Sequence, residues 1–197
     1  MSKEQIDAVV LAAGRSSRCS RYKLALSLGD KAVIERSIEG MYSLVQRIIV
    51  VVGFYQEAVR RLLAPYARVE FAPREDLGED MFGSVRVGVA RVRAGRFFLQ
   101  PADIPLVGQA VYERLLATEA DVAIPIYAGR KGHPLLLSSE IIPDILAAPP
   151  ESTLRDVLAG RKAALVPVED EGILLDIDTL EDYQKLLNRF RARTGGG

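Results

Sequence analysis

The chain has 197 residues, 49% of them hydrophobic, and its 26 Lys and Arg balance 26 Asp and Glu, which favours one globular domain of zero net charge. That balance argues against nucleic acid as a partner, because such proteins carry a basic excess. No apolar run approaches the ~20 residues that cross a bilayer, no secretory signal is read in MSKEQIDAVV, and a single cysteine, Cys19, excludes an internal disulfide, so a cytoplasmic protein with no membrane partner is expected.

In chain order, Ile6–Ala12 is apolar apart from Asp7 and predicts a strand buried on both faces. Residues 11–26, LAAGRSSRCSRYKLAL, leave that strand at once. Ala12, Ala13 and Gly14 let the backbone approach a ligand closely, and Arg15, Arg18, Arg21 and Lys23 bring four cations to one short loop. An anion site is expected, against the plainer reading of a turn with solvated arginines. The loop is neither G-x-G-x-x-G nor G-x-x-x-x-G-K. Val33, Ile34, Ile38 and Met41 give residues 30–42 a helical period; residues 47–53 read as a second buried strand and residues 56–63 as a helix ended by Pro65. Strands are predicted at residues 69–72, 96–100 and 121–126, with a helix over 111–118. Residues 84–93, SVRVGVARVR, fit both a two-residue and a helical period; the crossover that a parallel sheet needs here favours helix.

Beyond Pro125, YAGRKGHP is a glycine-punctuated loop, LLLSS is extended and SSEIIPDILAAPP is a proline-broken helix. STLRDVLAG has a Ser/Thr cap and ends on Gly160, ALVPVED and GILLDID read as strands, and TLEDYQKLLNRF opens with a capping box of Thr179 and Asp182. The expected fold is α/β and Rossmann-like: a mostly parallel sheet with helices on both faces and a small C-terminal lobe covering one end. Residues 1–193 are read as a single domain and 194–197 as a disordered tail. Ligands of such sheets sit beyond the carboxyl ends of the strands, here after Val10, after Gln100 and near Pro125.

Residues 11–26 resemble the signature L-A-[AG]-G-x-S-x-R-M-G-x-x-K-x-L of the MobA-like nucleotidyltransferases, at Leu11, Ala12, Gly14, Ser16, Arg18, Lys23 and Leu26. Cys19 and Ser20 stand where that signature has Met-Gly. PADIPLV at 101–107 resembles the family's G-D-x-P-L-V, with Ala102 in place of Gly. GHPLLL at 132–137 and LLDIDTLEDY at 174–183 resemble two later blocks, with Leu180 for a common Pro. The blocks follow family order and span most of the chain. Ala13, where the family associates Ala with CTP and Gly with GTP, resembles the cytidylyl branch.

The resemblance implies Mg²⁺-dependent transfer of CMP from CTP to the terminal phosphate of molybdopterin, with release of pyrophosphate. It implies a molybdenum hydroxylase or its maturation chaperone as recipient. Catalytic roles fall to Arg18, Lys23 and Asp103. Nucleotide contacts fall to Leu11, Ala12, Ala13, Gly14, Ser16, Arg18, Lys23, Gly83, Ser84 and Asp103. Metal ligation falls to Asp103 and Asp178, with Asp176 competing, and a substrate-side place to His133. A phosphate monoester is largely ionised at neutral pH, its second pKa being near ~6, so no general base is required. Positioning and charge neutralisation suffice, which suits a chain with one histidine and one cysteine. Plainer readings stay open for several residues: a turn-capping Asp103, helix-capping Asp176 or Asp178, a loop His133 bonded to backbone, and a solvated acidic turn at 75–85. So do a GTP-dependent enzyme, one acting on a sugar or alcohol phosphate, a non-catalytic carrier of the pterin cofactor, and a bare regulatory domain.

Overall fold

The computed structural model describes residues 5–14, 22–75 and 80–194. Its strands are β1 (Ile6–Ala12), β2 (Ser27–Leu28), β3 (Lys31–Ala32), β4 (Arg47–Val52), β5 (Val69–Pro73), β6 (Arg96–Pro101), β7 (Val122–Tyr127), β8 (Arg130–Lys131), β9 (Leu135–Ser138) and β10 (Ala163–Pro167). Its α-helices are α1 (Val33–Tyr42), α2 (Gln56–Leu63), α3 (Met81–Val89), α4 (Gln109–Leu116), α5 (Ile142–Ala147), α6 (Leu154–Leu158) and α7 (Leu180–Thr194). The main sheet runs β10-β7-β9-β6-β1-β4-β5, with β8 paired to β7, and β2 and β3 form a separate small ribbon.

β1 explains the rest. Parallel partners flank it on both sides: Val10 lies opposite Val50 of β4 and opposite Gln100 of β6. Its side chains alternate between two cores. Ala8, Val10 and Ala12, with Ile48, Val50 and Val52, pack against α1, α2, α4 and α7 through Ile34, Ile38, Val59, Tyr112 and Leu186. Val9, with Ile49, Val51, Phe97 and Leu99, packs against α3 and α5 through Phe82, Val85, Val89 and Ile145. A strand covered on both faces has no polar side to show, hence a run that is apolar at every position but Asp7. α3 comes closest to the sheet at Gly88, where a Cβ would collide with Val9.

The stretch that fitted two periods is helix α3, capped at its N-terminus by Asp80. The proline-broken segment is a 3₁₀ turn, Ser139–Ile141, followed by α5 with proline in its first turn, where a missing N–H breaks no ladder. The expected capping box of Thr179 with Asp182 forms, and the expected Ser/Thr cap is Thr153, which forms a second box with Asp156. One expectation is corrected. GILLDID is not a strand: Glu171–Leu174 form a 3₁₀ turn and the chain then runs irregularly. Its backbone groups go to the sheet's rim instead of a ladder, the Ile173 carbonyl accepting from the His133 N–H and the Ile177 N–H donating to the Asp103 carbonyl. Ile173 and Ile177 still bury their side chains, which is why the segment reads as a strand.

β9 runs antiparallel to both β6 and β7, and β10 is parallel to β7, so the later chain first extends the sheet. Only the stretch from Glu171 onward covers it, across the carboxyl rim and then as α7. Helix α7 reaches Thr194. The tail residues 195–197 lie outside the described residues.

Candidate active site

The chain leaves β1 toward β4 and β5 on one side, then returns to place β6 on the other. Strand order therefore reverses between β1 and β6, which is where open α/β sheets bind ligands. The Ala102 N–H donates to the Leu11 carbonyl at 3.0 Å, so β6 follows β1 to its end and delivers Asp103 just beyond. The Ile177 N–H donates to the Asp103 carbonyl at 3.2 Å and brings the DIDT segment to the same spot. Gly53, at the end of β4, lies against Ala13; a Cβ there would sit 2.7 Å from the Ala13 carbonyl oxygen. Ala12 is buried, Leu11 and Ala13 are half-buried, and Gly14 is exposed, with no neighbour among the described residues within 4 Å of where its Cβ would lie.

Lys23 closes the cluster. It opens a 3₁₀ turn pinned by buried Leu24, and the preceding Tyr22 ring stacks on Tyr55 with centroids 4.1 Å apart. Its Nζ donates to Asp103 Oδ2 at 2.6 Å, to the Ile177 carbonyl at 2.7 Å and to Asp178 Oδ1 at 3.5 Å. The Lys23 and Asp103 side chains are only 16% and 19% exposed, whereas Asp178 is 52% exposed. Burial alone would pull the ammonium's pKa down; Asp103 and then Asp178 outweigh it and hold it above the usual lysine range. The cation stays charged.

Asp103 and Asp178 thus both address one cation, here the ammonium. Carboxylate oxygens converging on one point fit Mg²⁺, which takes one or two carboxylates together with phosphate oxygens and water. Among the described residues no group of three or more His, Cys, Asp or Glu gathers to hold a metal. Among the described residues two carboxylates converge here, so the remaining ligands would come from a phosphate and from water. Asp176 also lies near; partial burial of its carboxyl, then repulsion from Asp178 and Asp103, raises its pKa.

His133 stands behind this cluster, fixed by its N–H to the Ile173 carbonyl at 3.0 Å and by a ring hydrogen bond with the Leu99 backbone. Its buried Nδ1 has no hydrogen-bond partner among the described residues. Burial depresses its pKa against the opposing pull of Asp103, so it is a neutral ring at pH 7.

Gly83 and Ser84 lie elsewhere on the rim, in the first turn of α3. Arg74, buried at the end of β5, donates from Nη1 to Ser84 Oγ at 3.0 Å and from Nη2 to Asp80 Oδ2 at 2.6 Å. A Cβ on Gly83 would strike that guanidinium at 2.5 Å. The structure does not bring these two residues into the Lys23 cluster. Gly83 borders a cleft of about 600 Å³ against the outer side of α3, which Glu75, Arg86 and Arg91 also line. Sequence reading passed over Arg74, a lone arginine after a strand, and the Ile177 carbonyl, which no residue type announces.

Asp80 is held below the usual carboxylate range first by Arg74 and then by the Gly83 N–H. Its contribution to stability is therefore complete above the unfolded-state value near ~4 and is lost as pH falls through the lower folded-state value. Asp80→Ala is expected to cost about 1.5 kcal/mol at pH 7, the worth of a helix cap plus a half-exposed ion pair. Urea melts at pH 7 and pH 3 check it: the deficit should shrink at the lower pH, and an equal deficit at both would refute the assignment.

Ser16 and Arg18, like Arg15, Cys19, Ser20 and Arg21, lie outside the described residues. The signature loop is therefore represented by its two ends, Leu11 to Gly14 and Lys23 onward.

The model of the MobA-like NTP transferase domain matches residues 8–167. The chain is 27% identical over 186 residues to the molybdenum cofactor cytidylyltransferase of Escherichia coli strain K12, covering 94% of this chain and 97% of that one. It superposes on Rv0371c of Mycobacterium tuberculosis H37Rv with a TM-score of 0.81 at 26% identity, covering 95% of this chain and 100% of the other. The same protein solved in complex with manganese gives 0.79 at 27% identity over 93% and 98% of the two chains. A nucleotidyl transferase from Methanothermobacter, at 24% identity and a TM-score of 0.84 over 96% and 99% of the chains, shares the fold.

Proposed function

Because the chain belongs to the MobA-like NTP transferase family and is a nucleotidyltransferase, we propose that it transfers CMP from CTP to the terminal phosphate of a molybdopterin-type cofactor, releasing pyrophosphate. The observation that carries this reading is the convergence of Lys23, Asp103 and Asp178 at the point where strand order reverses. The E. coli relative's activity supports the choice of reactants, and Ala13 supports CTP. Asp103 and Asp178 would hold Mg²⁺, the manganese complex of Rv0371c supporting a divalent ion in this fold. No helix among the described residues is long and apolar enough to cross a membrane. A molybdenum hydroxylase or its maturation chaperone is the proposed recipient.

In this reaction an oxygen of the acceptor's phosphate forms a bond to the α-phosphorus of CTP, and the bond from that phosphorus to the bridging oxygen of the leaving pyrophosphate breaks. The acceptor oxygen is already ionised, so no proton need be removed. A neutral, buried His133 fits that requirement: it orients the acceptor side by hydrogen bonding and adds no charge. Lys23, with Arg18 from the adjoining loop, offsets the repulsion between the two anions and steadies the triphosphate. Mg²⁺, when bound, supplies charge stabilisation at the phosphate oxygens. Leu11 to Gly14 let the nucleotide lie against the end of β1.

Pyrophosphate release with each of the four NTPs, Mg²⁺ and molybdopterin tests the proposal. CTP is expected to exceed GTP; the reverse order would move the chain to the guanylyl reaction, and binding without release would make it a carrier. Lys23→Ala should raise the KM for CTP about 10- to 100-fold, the worth of one charge-assisted hydrogen bond. An unchanged KM would return Lys23 to a purely structural place.

A further inference from the structure

Lys23 does more in this arrangement than await a phosphate. Its Nζ lies between Asp103 Oδ2 and Asp178 Oδ1, with the Ile177 carbonyl as a third acceptor at 2.7 Å. We infer that Lys23 is a built-in counter-ion that occupies the metal position in the nucleotide-free protein, so that the divalent ion enters together with the nucleotide and not before it. The inference rests on the reading of Asp103 and Asp178 as the metal carboxylates.

Three features of the site lead to it. First, the two carboxylates and the carbonyl that Lys23 satisfies are the same hard oxygens a divalent ion would seek. An ammonium already among them repels a second cation and occupies their lone pairs. Second, the base of Lys23 is fixed while its tip is free to travel. Leu24 is buried and Tyr22 stacks on Tyr55, so the backbone stays, but a four-carbon stem can swing Nζ by several ångströms. Third, the described residues provide too few carboxylates to hold a metal tightly unaided.

The physical consequence is a coupled entry. Phosphate oxygens offer Lys23 a better anionic partner, the ammonium leaves the carboxylates, and the vacated oxygens take the ion the phosphates already bind. Metal and nucleotide each raise the other's affinity, as reciprocity requires. The same device keeps adventitious divalent ions out of the resting protein.

Mn²⁺ is the probe, with free ion followed by electron paramagnetic resonance during titration of the full chain. The comparison is between wild type, Lys23→Met and Lys23→Gln without nucleotide; the glutamine keeps a donor for the Ile177 carbonyl, so at least one variant preserves the local structure. Both variants are expected to bind Mn²⁺ at least tenfold more tightly than wild type, with unchanged circular dichroism. Adding Asp103→Asn to either variant should abolish the gain. Equal or weaker Mn²⁺ binding by the folded variants overturns the inference, as does tight Mn²⁺ binding by nucleotide-free wild type. A gain that survives Asp103→Asn places the ion elsewhere and overturns the metal reading itself. With CTP present, wild type should bind Mn²⁺ more tightly than Lys23→Met, the reverse of the order without it.

Discussion

Replacing Asp103 with alanine is expected to lower kcat for pyrophosphate release by about 10³-fold, the scale seen when an electrostatic element of an active site is removed. The carboxylate accepts from Lys23 at 2.6 Å and stands directly past β6, at the reversal point of the sheet. Truncation removes a proposed metal ligand and loosens the cation that faces the phosphates. The fold should survive. The Asp103 carbonyl, which ties down Ile177, is backbone and remains, and Lys23 retains the Ile177 carbonyl and Asp178. A part-exposed ion pair of this kind contributes about 1 kcal/mol at most. Steady-state rates at saturating CTP and Mg²⁺, read beside a thermal melt, separate the two effects. A rate within tenfold of wild type would remove Asp103 from the chemistry.

The largest loss of stability is expected at the opposite end of the neighbouring strand, β1. Asp7 is buried to 2% exposure and accepts from Arg47 Nη2 at 2.5 Å, from Arg47 Nε at 3.2 Å, and from the N–H groups of Arg93 and Ala94 at 2.8 and 3.1 Å. Asp7→Ala leaves two backbone donors unpaired and deprives Arg47 of its buried partner. Removing one member of a buried pair costs about 3 kcal/mol or more, and among the described residues Arg47 keeps the exposed Glu70 and the Arg91 carbonyl in compensation. For a chain of this size the midpoint of thermal unfolding should drop by roughly 10 °C. The rate at low temperature should be unchanged, since Asp7 lies about 20 Å along β1 from Gly14 at the strand's rise per residue. A shift under about 2 °C would show that water replaces the carboxylate without loss.

These two aspartates also show where sequence reading succeeds and where it stops. Asp103 stands out because it ends a buried run between two prolines, at a position where the fold class places ligands. Asp7 does not stand out: a lone acid in an apolar strand gives no hint of Arg47, 40 residues later. His133 carries a similar ambiguity. Its motif points to the substrate side, but only the packing of β9 beside β6 shows that its ring is buried and therefore neutral. GILLDID reads as a strand because Ile173 and Ile177 face inward, yet its N–H and carbonyl groups bond to loops. Gly83 shows the converse. A glycine that suggests a ligand contact is required there by the Arg74 guanidinium.

The residues alone determined the alternation of strands and helices, the burial of β1 on both faces and the position of the candidate site after β1 and β6, because hydrophobic period and capping act over a few neighbouring residues. Only the tertiary structure decided that Lys23 meets Asp103 across 80 residues and Asp178 across 155, with the Ile177 carbonyl completing the cage. Such contacts depend on strand order and on how the last segment crosses the rim, and no local pattern encodes the distance between side chains that far apart in the chain.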